Sequence, residues 1–302
     1  MMQTQLNSET EKRLEAGGGI PSGQALFADA LLASYRRAIE SVAAARGDIR
    51  AAALRLAAIW RAGGRLIYAG AGSSGLAAAE DAAELPGTFG LDESRITIIL
   101  AGGTAEPFRI DAAAEDGGVA GEQAIAAFGD LASDAVIAVS ASGSTPFTIA
   151  AAAEARRRGA FVIAIAHRSG SPLLSGADAP IFLDSGEEAL RGSTRLAAGT
   201  AQKAALGMLS SLTGFELGHV HQGLMVNLKA DNAKLRERAL GIVAMIAGVS
   251  EAKADAALRE AGGEVKPAIL IARGVVTMSE AVAWLAATEG QIDDALRLSR
   301  AA

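Results

Sequence analysis

Two short runs rich in glycine and serine constrain this chain more than any other feature. They are Gly70-Ala71-Gly72-Ser73-Ser74-Gly75 and Ser140-Ala141-Ser142-Gly143-Ser144-Thr145. Each follows an apolar stretch, Leu66-Ile67-Tyr68-Ala69 before the first and Ala135-Val136-Ile137-Ala138-Val139 before the second, and each leads into an alanine-rich segment. An apolar strand, a tight turn and a helix start place free backbone N–H groups and a positive dipole end at the turn. Glycine lets that backbone approach a ligand closely, and serine hydroxyls add donors that rotate onto oxygen atoms. The expected ligand is anionic and rich in hydroxyls. A nucleoside triphosphate is disfavoured, because Leu76-Ala77-Ala78 follows Gly75 where a phosphate-binding lysine would stand.

The same alternation extends along the middle of the chain. Strands are predicted at Arg65–Ala69, Ile96–Leu100, Ala135–Val139, Phe161–Ala166 and Ala179–Leu183. Helices are predicted at Gly75–Glu84, ending at Pro86-Gly87, and at Gly121–Phe128, Thr145–Gly159 and Gly199–Leu212. Near-continuous apolar strands alternating with helices predict an α/β fold, a parallel-sheet αβα sandwich, with ligands bound beyond the carboxyl ends of the strands. Before it, a polar lead segment is followed by one or two amphipathic helices over Gln24–Ala62. After it, helices are expected at Lys234–Ala247, Ser250–Ala261, Val265–Ala272 and Ser279–Ala287, with N-caps at Ser250 and near Thr277. The expected organisation is residues 1–62 as lead and helices, 63–227 as the ligand-binding α/β domain, and 228–302 as a small C-terminal helical subdomain.

Composition removes several classes of function. The chain has no cysteine, which excludes disulfides, thiol catalysis and cysteine-ligated metal. A net charge of −6 and the absence of a basic run argue against nucleic acid. No secretory leader is read in the first residues, and no apolar run reaches membrane-spanning length, so a cytoplasmic location away from membranes is expected. His219 and His221 are spaced i, i+2, which keeps them off one helix face, and they are read as packing residues with no metal.

Two acidic stretches carry the candidate chemistry. Glu80 and Glu84 share a helix face after the first glycine–serine run, and Asp111, Glu115 and Asp116 follow the second predicted strand. Most such carboxylates are solvated helix ends. Two of them brought to one pocket would serve as a proton donor and a base. A third stretch, Ser185 to Arg195, follows the last strand. There Glu187 is a candidate for sugar hydroxyls, and Ser193 and Thr194 are candidates for a helix cap or a ligand contact.

Taken in order, these motifs resemble a known family. The two serine–glycine turns on a parallel sheet resemble the SIS (sugar isomerase) phosphosugar-binding fold. Ala83-Glu84-Leu85-Pro86-Gly87-Thr88-Phe89-Gly90, Ala114-Glu115-Asp116, Ala141-Ser142-Gly143-Ser144-Thr145-Pro146, Gly192-Ser193-Thr194-Arg195 with Thr200-Ala201-Gln202-Lys203, and Leu224-Met225-Val226-Asn227 resemble the bacterial N-acetylmuramic acid 6-phosphate etherases within it. The likeness spans about residues 64–240. It implies a lyase that expels D-lactate from C3 of a ring-opened phosphosugar, with Glu84 as proton donor to the ether oxygen and Glu115 as base at C2. It also implies a substrate phosphate on Gly72, Ser73, Ser74, Ser142, Gly143, Ser144 and Thr145, no metal or organic cofactor, and a homodimer. Three positions depart from the family: Leu85-Pro86-Gly87 replaces Cys-Pro-Pro, Leu76-Ala77 replaces Arg-Leu, and Ala112 replaces a glutamate, leaving Glu115 as the base. A phosphosugar isomerase or a non-catalytic phosphosugar-binding regulator would share the turns without needing both glutamates.

Overall fold

In the computed structural model, the residues described are 23–103, 111–228, 230, 232–274 and 277–301. The polar lead segment and Thr104 lie outside them. Contacts divide the chain into two compact units, the first built from residues through Ala83 and from Ser94–Ser210, the second from Glu84–Glu93 and Ser211–Ala302.

The first unit opens with two helices, α1 (Gln24–Ala44) and α2 (Arg46–Arg61). Five strands follow, β1 (Leu66–Gly70), β2 (Ile96–Leu100), β3 (Ala135–Val139), β4 (Phe161–Ala166) and β5 (Ala179–Phe182). All pair in parallel in the order β2-β1-β3-β4-β5. All five expected strands are present, because a parallel sheet covered on both faces needs continuous apolar runs and such runs are plain in a sequence. The helices between them are α3 (Gly72–Phe89), α4 (Gly118–Ala126), α5 (Pro146–Arg157) and α6 (Pro172–Ser175), and α7 (Ala197–Glu216) follows β5.

Alternation along the strands sorts the two faces. Ile67, Ala69, Val136, Ala138, Val162, Ala164 and Ala166 form one core with Ile125 of α4, Phe147, Ala151 and Ala155 of α5, and Leu173 of α6. The alanines there bring helices close. A methyl group at Gly121 of α4 would collide with the Phe147 carbonyl oxygen of α5. On the opposite face Tyr68 is fully buried, and its hydroxyl donates to Asp81 Oδ2 of α3 at 3.0 Å. Ser210 of α7 donates to Asp81 Oδ1 at 2.9 Å, so one buried carboxyl group joins strand and two helices. Burial, then the nearby Asp81 charge, pushes the Tyr68 phenol well above its ordinary pKa. At the amino ends of the strands, Asp134 accepts from the Arg65 backbone N–H at 2.6 Å and from its guanidinium at 2.7 Å, fixing where β1 and β3 begin.

Helix α3 departs from expectation. It starts at Gly72 and passes through Pro86 to Phe89, where the sequence suggested a stop. Proline forfeits one helical hydrogen bond, but Leu85 and Phe89 on either side are buried, and Gly90 N–H closes on the Pro86 carbonyl at 2.9 Å.

The second unit holds a two-stranded hairpin, β6 (Val220–His221) and β7 (Leu224–Met225), turned by Gln222 and Gly223, both with positive φ. Five helices follow: α8 (Ala233–Ala247), α9 (Glu251–Glu260), α10 (Val265–Ala272), α11 (Met278–Ala287) and α12 (Ile292–Ala301). Ser250 caps α9, and Thr277 with Glu280 forms a capping box on α11, as read from the sequence. The last helix was not anticipated, although Asp293 and Asp294 in its first turn are a start signal. His219 directly precedes the hairpin and His221 lies on it, with His221 Nε2 standing 3.9 Å from Asp293 Oδ1. Among the described residues no cluster of three metal-ligating side chains forms, and no helix is long and apolar enough to cross a membrane.

The Asp81 junction predicts unequal costs. Asp81→Ala strands the buried Tyr68 hydroxyl and leaves Ser210 only its longer 3.3 Å bond to the Gly207 carbonyl, and is expected to lower stability by about 2–3 kcal/mol, whereas Tyr68→Phe removes one bond at about 1 kcal/mol. Urea unfolding midpoints of the two variants check the ratio.

Candidate active site

The sheet order reverses between β1 and β3, since the chain leaves β1 toward β2 on one side and returns to β3 on the other. At such a switch point the carboxyl ends of the two strands open a crevice. Both glycine–serine turns stand there, on neighbouring strands whose last residues, Gly70 and Val139, are in register.

The first turn is tight because two glycines touch. A Cβ on Gly70 would lie 2.8 Å from Gly75 Cα, so neither position has room for a side chain. Gly72 then opens α3 with φ of +55°, and Ser73 and Ser74 occupy its first turn, half-buried and buried. In the second turn, Ser140 Oγ meets Thr145 Oγ1 at 2.8 Å and accepts from Gly143 N–H at 3.1 Å. Ser142 Oγ accepts from the Ser144 N–H at 3.1 Å and from its hydroxyl at 3.0 Å. Gly143 has φ of +64°, and any Cβ there would strike Ser171. Thr145 precedes α5 without capping it, its hydroxyl being turned to Ser140.

Glu115 reaches this crevice. It lies in a 3₁₀ turn over Ala112–Asp116, capped by Asp111, whose side chain accepts from Ala113 N–H at 3.0 Å. A methyl group built on Gly72 would stand 2.5 Å from Glu115 Oε1, which places the carboxyl against the backbone of the first turn. Partial burial, with a smaller contribution from Asp116, raises its pKa above the ordinary carboxylate value. Ala112 is exposed in the same turn, so no second carboxylate competes at that position.

Glu84 is placed differently. It is exposed on α3, twelve residues past Gly72, which is about 18 Å along the helix axis. One turn earlier Glu80 pairs with Lys203 of α7 at 3.1 Å. The third stretch, between β5 and α7, leaves Glu187 exposed and Ser193 and Thr194 half-exposed. Neither hydroxyl caps α7. That role falls to Glu188, which is 4% exposed and accepts from Ala197 N–H at 2.8 Å and Ala198 N–H at 3.0 Å. Glu188 does not stand out in the sequence from its neighbour Glu187. The signal was a helix start at Ala197 with no serine, threonine or acid directly before it.

His167 was also missed. Its backbone N–H donates to the Ala141 carbonyl of the second turn at 3.0 Å, and its Nδ1 meets Ser185 Oγ at 2.9 Å. Burial lowers its pKa to about 4, so the ring is neutral at physiological pH.

The sheet and its two serine–glycine turns belong to the SIS domain class, whose models match residues 30–167 and 131–212. The N-acetylmuramic acid 6-phosphate etherase of Deinococcus radiodurans is 41% identical over 82% of this chain and 82% of its own length. Those of Streptomyces avermitilis and Serratia proteamaculans are each 41% identical, over 85% and 82% of this chain and 82% of their own lengths. The chain belongs to the N-acetylmuramic acid 6-phosphate etherase family.

Two outcomes follow from the Glu115 environment. A raised folded-state pKa means that this carboxyl supports folding below its unfolded value of about 4.3, and that the support is lost as pH rises through the folded value. Glu115→Gln is therefore expected to melt above the parent protein near pH 8, the gap closing near pH 3; a constant gap would contradict this. Gly72→Ala is expected to displace the carboxyl and cost roughly tenfold or more in turnover, against only about 1–2 kcal/mol of stability for the left-handed backbone.

Proposed function

We propose that this chain cleaves the D-lactyl ether of N-acetylmuramic acid 6-phosphate, giving N-acetylglucosamine 6-phosphate and D-lactate. The single observation that carries the site assignment is the Glu115 carboxyl standing against the Gly72 backbone with a raised proton affinity. The substrate phosphate binds the turns through Ser73, Ser74, Ser142, Ser144, Thr145 and the backbone of Gly72 and Gly143. Glu187, Ser193 and Thr194 contact the sugar.

The open-chain aldehyde at C1 makes the C2 hydrogen acidic. Glu115 removes that proton, the electrons form the C2–C3 double bond, and the C3–O bond breaks as Glu84 protonates the departing lactate oxygen. Water then adds across the double bond, its hydroxyl going to C3 and a proton returning to C2. A base with a raised pKa and a separate acid suit this division of labour.

The position of Glu84 bears on assembly. Five bonds separate phosphorus from C3, a reach of about 7 Å, while Glu84 is about 18 Å of helix beyond the turn that holds the phosphate. A homodimer resolves the mismatch, with Glu84 of one copy serving the sugar held by Glu115 of the other. A cytoplasmic location accords with a phosphorylated substrate.

Incubation of the purified protein with N-acetylmuramic acid 6-phosphate should release lactate, and none above a blank would reject the reading. In heavy water, Glu84→Gln should exchange the C2 hydrogen without expelling lactate, and Glu115→Gln should lose exchange. Mixing and re-equilibrating the two inactive variants should restore about a quarter of parental activity, because half the dimers are mixed and each holds one intact site. No recovery would place both glutamates in one copy.

A further inference from the structure

The segment from Ser185 to Leu196, between β5 and α7, has almost no regular structure, yet it is held at three points. At its start, Ser185 is 1% exposed and joined to the His167 ring. Next, Arg37 of α1 donates to the Glu187 carbonyl at 3.4 Å, and its side chain packs so closely on Gly186 that a Cβ there would lie 3.1 Å from Nε. At its end, Glu188 binds both Ala197 and Ala198 N–H groups. Between Glu188 and those two amides the chain makes an eight-residue excursion over 189–196, turning at Gly192 with φ of +79° and at the Ser193 N–H to Leu190 carbonyl bond of 3.1 Å. Ser193 and Thr194 are half-exposed within that excursion.

A 20-residue helix would ordinarily offer its first amides to an anion. Here the chain's own carboxylate occupies them with one oxygen per amide, an arrangement that fixes direction as well as distance. Two consequences follow. The substrate phosphate has no place on α7 and is confined to the two serine turns. Ser193 and Thr194, whose residue types usually cap helices, are relieved of capping and keep their hydroxyls for a ligand. Burial raises the Glu188 pKa above the ordinary carboxylate value, and the Ala198 and Ala197 amides and the Arg195 charge offset only part of that rise.

We infer that Glu188 is a positioning residue for substrate recognition: by closing the α7 N-terminus it shapes the Leu190–Thr194 excursion and turns Ser193 and Thr194 toward the sugar. This rests on the etherase reading and on the placing of Ser193 and Thr194 at the sugar. Glu188 itself touches no reacting atom.

The test is a mutant cycle on steady-state lactate release from N-acetylmuramic acid 6-phosphate, combining Glu188→Gln with the double change Ser193→Ala and Thr194→Ala. Glutamine keeps the shape but presents an N–H to one of the two amides. The expected result is a KM raised roughly tenfold by Glu188→Gln, with kcat changed less than about threefold. The serine–threonine variant should show a similar rise, and the triple variant should be little worse than either. Multiplying effects in the triple variant would show that Glu188 acts elsewhere and overturn the inference. An unimpaired Ser193/Thr194 variant would overturn it too, by removing those residues from the sugar while leaving the etherase reading intact. Absence of lactate release by the parent protein would instead reject the etherase reading. Should Glu188→Gln fail to fold by circular dichroism, Glu188→Asp takes its place in the cycle, and failure of both makes Glu188 a structural cap and overturns the inference.

Discussion

The contact between Gly70 and Gly75 is the constraint on which the site depends. These two backbones touch where strand β1 turns into helix α3, and a side chain on either would push them apart. Their closeness lets α3 begin two residues after the strand ends, so its first amides stand at the sheet edge and not beyond it. Gly72 can then accept the Glu115 carboxyl in the space where a methyl group would be. The neighbouring turn on β3 meets the same requirement differently. Its loop is laced by hydroxyl bonds among Ser140, Ser142, Ser144 and Thr145, and it is pressed at Gly143 against Ser171. One turn is shaped by missing side chains, the other by short polar ones.

Local patterns carried much of this architecture in the sequence. The five strands stood out because each is an unbroken apolar run, and the caps at Ser250 and Thr277 because a cap is written within four residues. Both serine–glycine turns were legible for the same reason. What escaped notice was settled by partners far apart in the chain. Asp81 reads as part of an acidic helix end, yet it is 3% exposed and bonded to Tyr68 and Ser210. Glu187 and Glu188 are adjacent and chemically identical, and only the fold separates an exposed one from a buried cap. Pro86 was read by its local habit as a stop, and burial of Leu85 and Phe89 outweighed that habit.

Electrostatics divides the polar groups around the crevice into two kinds. His167 is buried and neutral, and its work is done by hydrogen bonds that do not change with pH across the physiological range. Glu115 is only partly buried, in a place that favours its protonated form. Poor solvation of that carboxylate makes it a stronger base once ionised.

The clasp between Arg65 and Asp134 has a consequence at the far end of the sheet. It makes β1 and β3 start together, and each is five residues long, so they finish level. The pair acts as a ruler with a fixed zero mark. Two residues added to either strand would carry its turn about 7 Å past the other, farther than a phosphate group spans. Residues added to the connections before the clasp leave the two turns level, whereas residues added within either strand separate them.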